Sequence, residues 1–406
     1  MAGSVRPYKL GNGQQRWRWM TDAGPKTWDA ERQRYVRNQL SKQGYRRKLD
    51  AERAMAEVVH QVSIGIAPSA AERQITVAQW ATTWLDSRAA IRPSTRNGYT
   101  VAIEGYIKPA IGQIPLMQLR PDHLDAMLAL IRSGKIRPAY ANRRRPDGHL
   151  SATSVRQIFM VLTTMLNAAV KRRLIPFSPA AGVELEPPEH HEASVLGPQE
   201  IAAFLAFTAE HDPRLVIAWR LAFSFGLRRG EICGLRWDDI DGDWLHVRQQ
   251  RVGVGGEVIT GPPKTAAGVR SLPLGIDPGF AGELREHRKR QLADRLAAGQ
   301  AWTETGLIVA GEHGEPPHPS ALSRSFTALV AASGLPPLVL HEARHTANSL
   351  WREAGIGTTE RQAWMGHSSP QMTDVTYNHL RTEAHDRAAA LAAAYRAANG
   401  LSAGSM

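Results

Sequence analysis

Between residues 340 and 377 the chain gathers side chains whose chemistry and placement could build a reactive site. His341 and Arg344 stand three apart, Gly366-His367-Ser368 follows, and a lone tyrosine, Tyr377, closes the stretch. A spacing of three puts His341 and Arg344 one turn apart on one helix face. A guanidinium, imidazoles and a phenol suit an anionic substrate and a phenolic nucleophile better than a carbonyl substrate. The same residues also spell a competing pattern. His341-Glu342-Ala343-Arg344-His345 fits the H-E-x-x-H zinc signature. That signature needs two neutral imidazoles and a further ligand, for which Glu353 and Glu360 are available. Against it, Arg344 would set a fixed positive charge beside the metal, and no histidine follows at the metzincin spacing. A third reading makes the stretch an amphipathic helix with incidental polar residues.

Two more cations come from upstream. Phe225-Gly226-Leu227-Arg228-Arg229-Gly230-Glu231 sets an arginine at the mouth of a short helix, where a preceding glycine lets the backbone pack closely. Ile232, Leu235 and Trp237 bury that helix. Either Arg228 or Arg229 is the functional cation, and the position after Gly-Leu favours Arg228. Lys264 lies in Gly261-Pro262-Pro263-Lys264-Thr265, read as the turn between strands at 258–259 and 269–274. A lysine on a hairpin tip can swing into a site and donate a proton.

The elements that must hold these groups form three parts. Residues 1–66 read as a small three-stranded sheet backed by a helix. Strands are expected at 5–10 and 15–20, joined by a turn at Gly11-Asn12-Gly13. A third strand is expected at 26–28, then a basic stretch at 32–48 and a helix from about residue 50. In the second strand Trp17 and Trp19 share one face, read as core, while Arg16 and Arg18 take the other. Such a sheet can enter a DNA major groove. Residues 75–182 read as all-helical. A loop at 132–150 carries Arg143, Arg144 and Arg145, expected to order on DNA. The long helix of 151–174 ends in Lys171-Arg172-Arg173, cations suited to a helix C-terminus or a phosphate backbone. Residues 183–197 are rich in Pro and Glu and read as a linker. Residues 198–390 form a mixed, mainly helical domain with a small antiparallel sheet, and 391–406 a tail; the chain from 382 onward is Ala-rich and helix-prone.

Charge divides along the same lines. Residues 1–66 carry 13 Lys/Arg against 6 Asp/Glu, and 67–185 carry 16 against 7; residues 186–406 carry 21 against 25. The net charge of +12 is therefore concentrated in two successive basic segments, a pattern that points to a polyanionic partner. A single cysteine, Cys233, excludes an intramolecular disulfide framework and fits a reducing compartment. No apolar run reaches membrane-spanning length and no signal-peptide core opens the chain, so a soluble intracellular protein with no membrane partner is expected. No G-x-x-x-x-G-K-[ST] phosphate loop occurs.

Taken in order, Gly-Leu-Arg-x-x-Glu, a Lys in a hairpin, His-x-x-Arg, Gly-His-Ser and a Tyr ten residues on resemble the tyrosine recombinases, and most of all the phage-type integrases. The resemblance covers the catalytic domain and extends more weakly to 75–182, similar to their core-site DNA-binding domain, and to 1–66, similar to their arm-site domain. It implies that Arg228 and Arg344 clamp the scissile phosphate, with Glu231 supporting the first, and that Tyr377 is the nucleophile. His341 would assist Tyr377, Lys264 would protonate the leaving 5′-oxygen, and His367 would hydrogen-bond a phosphate oxygen. The same resemblance implies no metal or other cofactor, a homotetramer on double-stranded core and arm attachment sites, a directionality factor, a host DNA-bending protein, and the nucleoid of a bacterial cytoplasm. Two alternatives remain at this point: a DNA-binding regulator without catalysis, and a zinc hydrolase built on His341, Glu342 and His345.

Overall fold

The computed structural model describes residues 3–22, 27–29, 33–36, 39–63, 75–136, 149–187 and 194–366. The chain divides between His190 and His191 into two units, within the stretch read as a linker.

In the first unit, β1 (Ser4–Lys9) and β2 (Gln15–Asp22) pair antiparallel, with Ser4 opposite Met20 and Lys9 opposite Gln15. The turn between them is closed by the Gly13 amide on the Leu10 carbonyl. β3 (Thr27–Asp29) and β4 (Arg34–Val36) form a separate pair. β5 (Gln39–Tyr45) takes the free edge of β2, giving the order β1-β2-β5. The sheet's third strand is thus 39–45, inside the stretch read as basic, and not 26–28. An edge strand that gives the core little more than Leu40 shows almost no apolar alternation, so its polar residues hid it. Helix α1 (Lys48–Ser63) covers the sheet with Ala51 and Val62, and Trp19 is buried beneath it with Leu40. Trp17 packs on this core and the Trp19 indole donates to Tyr45 Oη at 3.2 Å. The tryptophans are core, as read. Arg18 is exposed and Arg16 donates to Gln14 Oε1 at 3.1 Å.

The helical part comprises α2 (Val77–Asp86), α3 (Pro93–Ala102), α4 (Lys108–Ile111), α5 (Pro121–Arg132) and α6 (Ala152–Lys171). Thr76 starts α2 with a capping box to Gln79. One π turn, Ile103–Ile107, joins α3 to α4 and brings Ile103, Tyr106 and Ile107 inward together. Trp80 ties α2 to α6 through its indole N–H on the Met165 carbonyl at 3.0 Å. Arg172 lies over the Trp80 ring at 5.4 Å, and Arg173 adopts the left-handed conformation that ends α6. Arg143, Arg144 and Arg145 lie outside the described residues.

The second unit runs α7 (Pro198–His211), α8 (Val216–Phe223), α9 (Arg229–Gly234), then five strands, then α10 (Phe280–Ala298), α11 (Pro319–Ala332), α12 (Leu340–Glu353) and α13 (Thr358–Met365). β6 (Ile240–Asp241), β7 (Trp244–Val247) and β10 (Arg270–Pro273) form an antiparallel sheet ordered β10-β7-β6, while β8 (Gln250–Val254) and β9 (Glu257–Gly261) form a hairpin of their own. Here the structure corrects an expectation. Lys264 is not on a hairpin tip, because β9 and β10 do not pair; it sits on the connection between two sheets. The reason is register: Arg270 to Pro273 pair with Val247 to Trp244, so β10 leaves its sequence neighbour for β7. α8 is buried almost all round, with Trp219 and Phe223 packed edge-on against Phe326 and Phe204 respectively. Among the described residues no helix is long and apolar enough to cross a membrane.

Candidate active site

The site is built around one bend. After α8 the chain passes through Gly226 at φ +58°, where an added Cβ would lie 3.1 Å from Met365 and 3.3 Å from Trp351. Only glycine gives both the left-handed turn and that close approach of α12 and α13. The turn delivers Arg228 to the N-cap of α9. Its amide and one guanidinium nitrogen each donate to the Glu231 carboxylate at 2.8 Å, and its Nη2 donates to the Gly366 carbonyl at 3.1 Å. With a side chain 34% exposed, Arg228 keeps access to solvent. Arg229 points elsewhere: it is exposed and donates to Ser323 on α11. Of the two, Arg228 is the one that joins Glu231 and the Gly366 carbonyl.

Arg344 enters from α12. The helix buries Ala343, Ala347 and Trp351, and Arg344 follows them inward to 3% exposure. Its guanidinium donates to the Gly226 and Met365 carbonyls. Burial first, then repulsion from Arg228 and Arg270, push its pKa down to about 9, partly offset by Glu231. The whole group still carries net positive charge at neutral pH, as a site for a phosphodiester requires.

Glu231 is 1% exposed and balances the cluster. Burial alone would raise its carboxyl, but the charge and hydrogen bonds of Arg270, then those of Arg228, outweigh it and hold the carboxyl below the usual range. Arg270 was not among the sequence-derived candidates. It reaches both Glu231 oxygens, at 3.0 and 2.8 Å. A signal for it existed. On β10 the period of two puts Arg270 on the same face as Leu272, and a charge on a buried face demands a partner.

His341 stands exposed in the first turn of α12, 5.1 Å from the His345 ring in an edge-on arrangement. Partial desolvation, then His345, Arg344 and Arg228, lower its pKa, so its ring is neutral at pH 7 and can accept a proton. Lys264 is exposed two residues before the turn Ala266–Gly268, and that turn packs against Gly366. His367 and Tyr377 lie outside the described residues.

The zinc pattern does not assemble. Glu342 turns back to accept the Val339 amide at 2.7 Å, and Glu360 accepts the Gly357 amide at 2.9 Å. Both carboxylates thereby cap helices. Among the described residues no group of three or more His, Cys, Asp or Glu could hold a metal ion.

Comparison with known proteins points one way. Residues 194–384 match the model of the phage integrase family, and residues 76–128 match that of the phage integrase N-terminal SAM-like domain. The integrase of Mycobacterium phage L5 is 28% identical over 359 residues, covering 86% of this chain and 88% of that protein. A tyrosine recombinase described as XerC-like, from Caldanaerobacter subterraneus, is 26% identical over 328 residues, 76% of this chain and 80% of that protein. Among solved structures, the Tn1549 transposon integrase bound to transposon right-end DNA superposes with a TM-score of 0.60 at 18% identity, over 76% of this chain and 98% of that one. A lambda integrase tetramer bound to a Holliday junction superposes at 0.53 and 19%, over 90% and 93%. At these identities the solved structures speak for the fold.

Proposed function

Because this chain belongs to the phage integrase family of tyrosine recombinases, enzymes that cut and rejoin DNA strands through a tyrosine nucleophile, we propose that Tyr377 is its nucleophile and that Arg228 and Arg344 clamp the scissile phosphate. The phenolic oxygen attacks phosphorus, a 3′-phosphotyrosine forms, and the bond to the 5′-oxygen breaks. The 5′-hydroxyl of a partner strand then reverses the step on a new junction. Each transfer conserves one phosphoester bond, so no nucleoside triphosphate is consumed. Splitting one exchange into two is the gain of covalent catalysis.

The role of each group follows from its chemistry. The pentavalent transition state carries two negative charges on its non-bridging oxygens, which guanidinium groups can bind in pairs. A phenol with an ordinary pKa near 10 must lose its proton, and a leaving alkoxide must gain one. His341, held neutral, assists the first transfer, Lys264 supplies the second, and His367 hydrogen-bonds a phosphate oxygen. The observation that carries this reading is the convergence of Arg228 and Arg344, from opposite ends of the catalytic sequence, on the adjacent carbonyls of Gly366 and Met365.

The partner is double-stranded DNA. Residues 75–182 take core-type sites, residues 1–66 take arm-type sites through Arg16 and Arg18, and Arg143, Arg144, Arg145, Arg172 and Arg173 add phosphate contacts. Four copies act on two duplexes, with a directionality factor and a host bending protein setting the outcome between integration and excision, in the bacterial cytoplasm. A nicked suicide duplex tests the chemistry. Wild type accumulates a covalent protein–DNA adduct that survives detergent, while Tyr377→Phe shifts the duplex in a gel and yields no adduct. An adduct from Tyr377→Phe would end the assignment.

A further inference from the structure

At the end of α13 a third arginine, Arg270, joins the two assigned to the phosphate, and the recombinase chemistry as described gives it no role. The carbonyls of Trp364, Met365 and Gly366 follow one another at the C-terminal end of α13, the negative pole of the helix. Each accepts from a different arginine. Arg270 Nε donates to Trp364, Arg344 Nη2 to Met365, and Arg228 Nη2 to Gly366. Gly366 itself sits at φ +61°, with an added Cβ 2.7 Å from the Ala267 carbonyl and 3.2 Å from Arg270 Cδ. The helix end is therefore seated directly on Arg270.

Arg270 is the member of this trio whose guanidinium holds both oxygens of Glu231. Besides Trp364 and the two oxygens of Glu231, its Nη1 donates to the Gly268 carbonyl at 3.1 Å. Glu231 in turn holds the guanidinium of Arg228. With a side chain only 1% exposed, Arg270 has no surface to offer DNA. Resting on the recombinase reading above, we propose that Arg270 is a positioning residue: by bridging Glu231 and the end of α13 it fixes the spacing at which Arg228 and Arg344 meet the phosphate. An ordinary core ion pair would bear on folding alone. A spacer between two clamping groups bears on the rate, because catalysis by preorganised charge falls steeply with small displacements.

Two variants separate these roles. Arg270→Lys keeps a cation beside Glu231, and with it the fold, but cannot span both Glu231 and the Trp364 carbonyl. On the nicked suicide duplex at saturating DNA, its single-turnover cleavage rate is expected to fall by about 100-fold, with the DNA concentration for half-saturation changed by less than about threefold. Arg270→Met removes the charge that holds the Glu231 carboxyl low. Burial then raises that carboxyl, Arg228 loses its anchor as it protonates, and the acid limb of the cleavage–pH profile moves to higher pH than in wild type. A folded Arg270→Lys that cleaves within about threefold of wild type, or a folded Arg270→Met with a wild-type pH profile, overturns the proposal. Wild type giving no covalent adduct in the same assay would instead overturn the recombinase reading, and with it this one.

Discussion

Replacing Glu231 by Gln asks how much of the active-site architecture hangs on a single buried carboxylate. Glu231 is 1% exposed and faces Arg270 at 2.8 and 3.0 Å and Arg228 at 2.8 Å. Arg228 can turn to solvent once released, but Arg270 cannot. Removing one partner of a buried ion pair costs about 3–5 kcal/mol, since the other charge stays behind without compensation. Glutamine keeps an acceptor oxygen for one of the bonds, so the lower end, about 3 kcal/mol, is expected. For a unit of this size each kcal/mol lowers the melting temperature by about 2–4 °C, which gives a drop of about 6–12 °C near pH 7. The pH dependence follows from the direction of the shift. The folded carboxyl lies below its ordinary value of 4.5. Stability from such a group is fully present above the unfolded value and lost as pH falls through the lowered folded one. The gap between wild type and Glu231→Gln should hold steady from about pH 8 to about pH 5 and narrow below about pH 4. Circular dichroism melts of both proteins across that range provide the measurement. A gap under about 2 °C at neutral pH, or one that widens on acidification, would refute the reasoning.

The remaining expectations concern other parts of the chain. His341→Gln should flatten the acid side of the cleavage–pH profile: the wild-type ring, with its pKa below 6.5, loses its accepting form as pH falls through that value. An unchanged acid limb in the variant would remove His341 from the proton transfer. Gly366→Ala must place a Cβ 2.7 Å from the Ala267 carbonyl at a positive φ. A loss of about 1–3 kcal/mol in chemical denaturation, with cleavage reduced at saturating DNA, is the expected result, and an unaffected midpoint would show the seat to be pliable. Deleting residues 1–66 should leave cleavage of isolated core sites near wild type and abolish recombination between full attachment sites; full recombination by the truncated protein would exclude an arm-binding role. Trp19→Ala, which empties the centre of the small N-terminal core, should cost about 3–5 kcal/mol in that part of the chain and weaken arm-site binding, seen as lost gel shift on arm DNA with core-site cleavage kept.

How far the sequence could be read depended on how local each signal was. The helical character of 75–182, the long helix α6 and the helix face of α12 that carries His341 and Arg344 were legible, because such patterns are written within a few turns of chain. β5 did not, since an edge strand with one strongly buried residue has no alternation to show. Lys264 was correctly put between two strands but given the wrong turn, because which strand pairs with which is a long-range choice. Motif position favours Arg228 over Arg229; which distant group each one meets, the Gly366 carbonyl for Arg228 and Ser323 for Arg229, was written in no local pattern. The zinc pattern, equally plain as a string of letters, dissolved once Glu342 and Glu360 were found capping helices.

The amino-acid order by itself determined the inventory: which residue types exist for phosphoryl transfer, that His341 and Arg344 share a helix face, and that the basic charge belongs to the first 185 residues. Only the tertiary structure decided which of those charges touch. The Arg228–Glu231 pair, Arg270 and the carbonyls at the end of α13 come from three segments far apart in the chain, and no local pattern encodes their meeting. A buried charge is tolerated only where distant groups compensate it, so the partner of Arg270 could be demanded by the sequence but identified only by the fold.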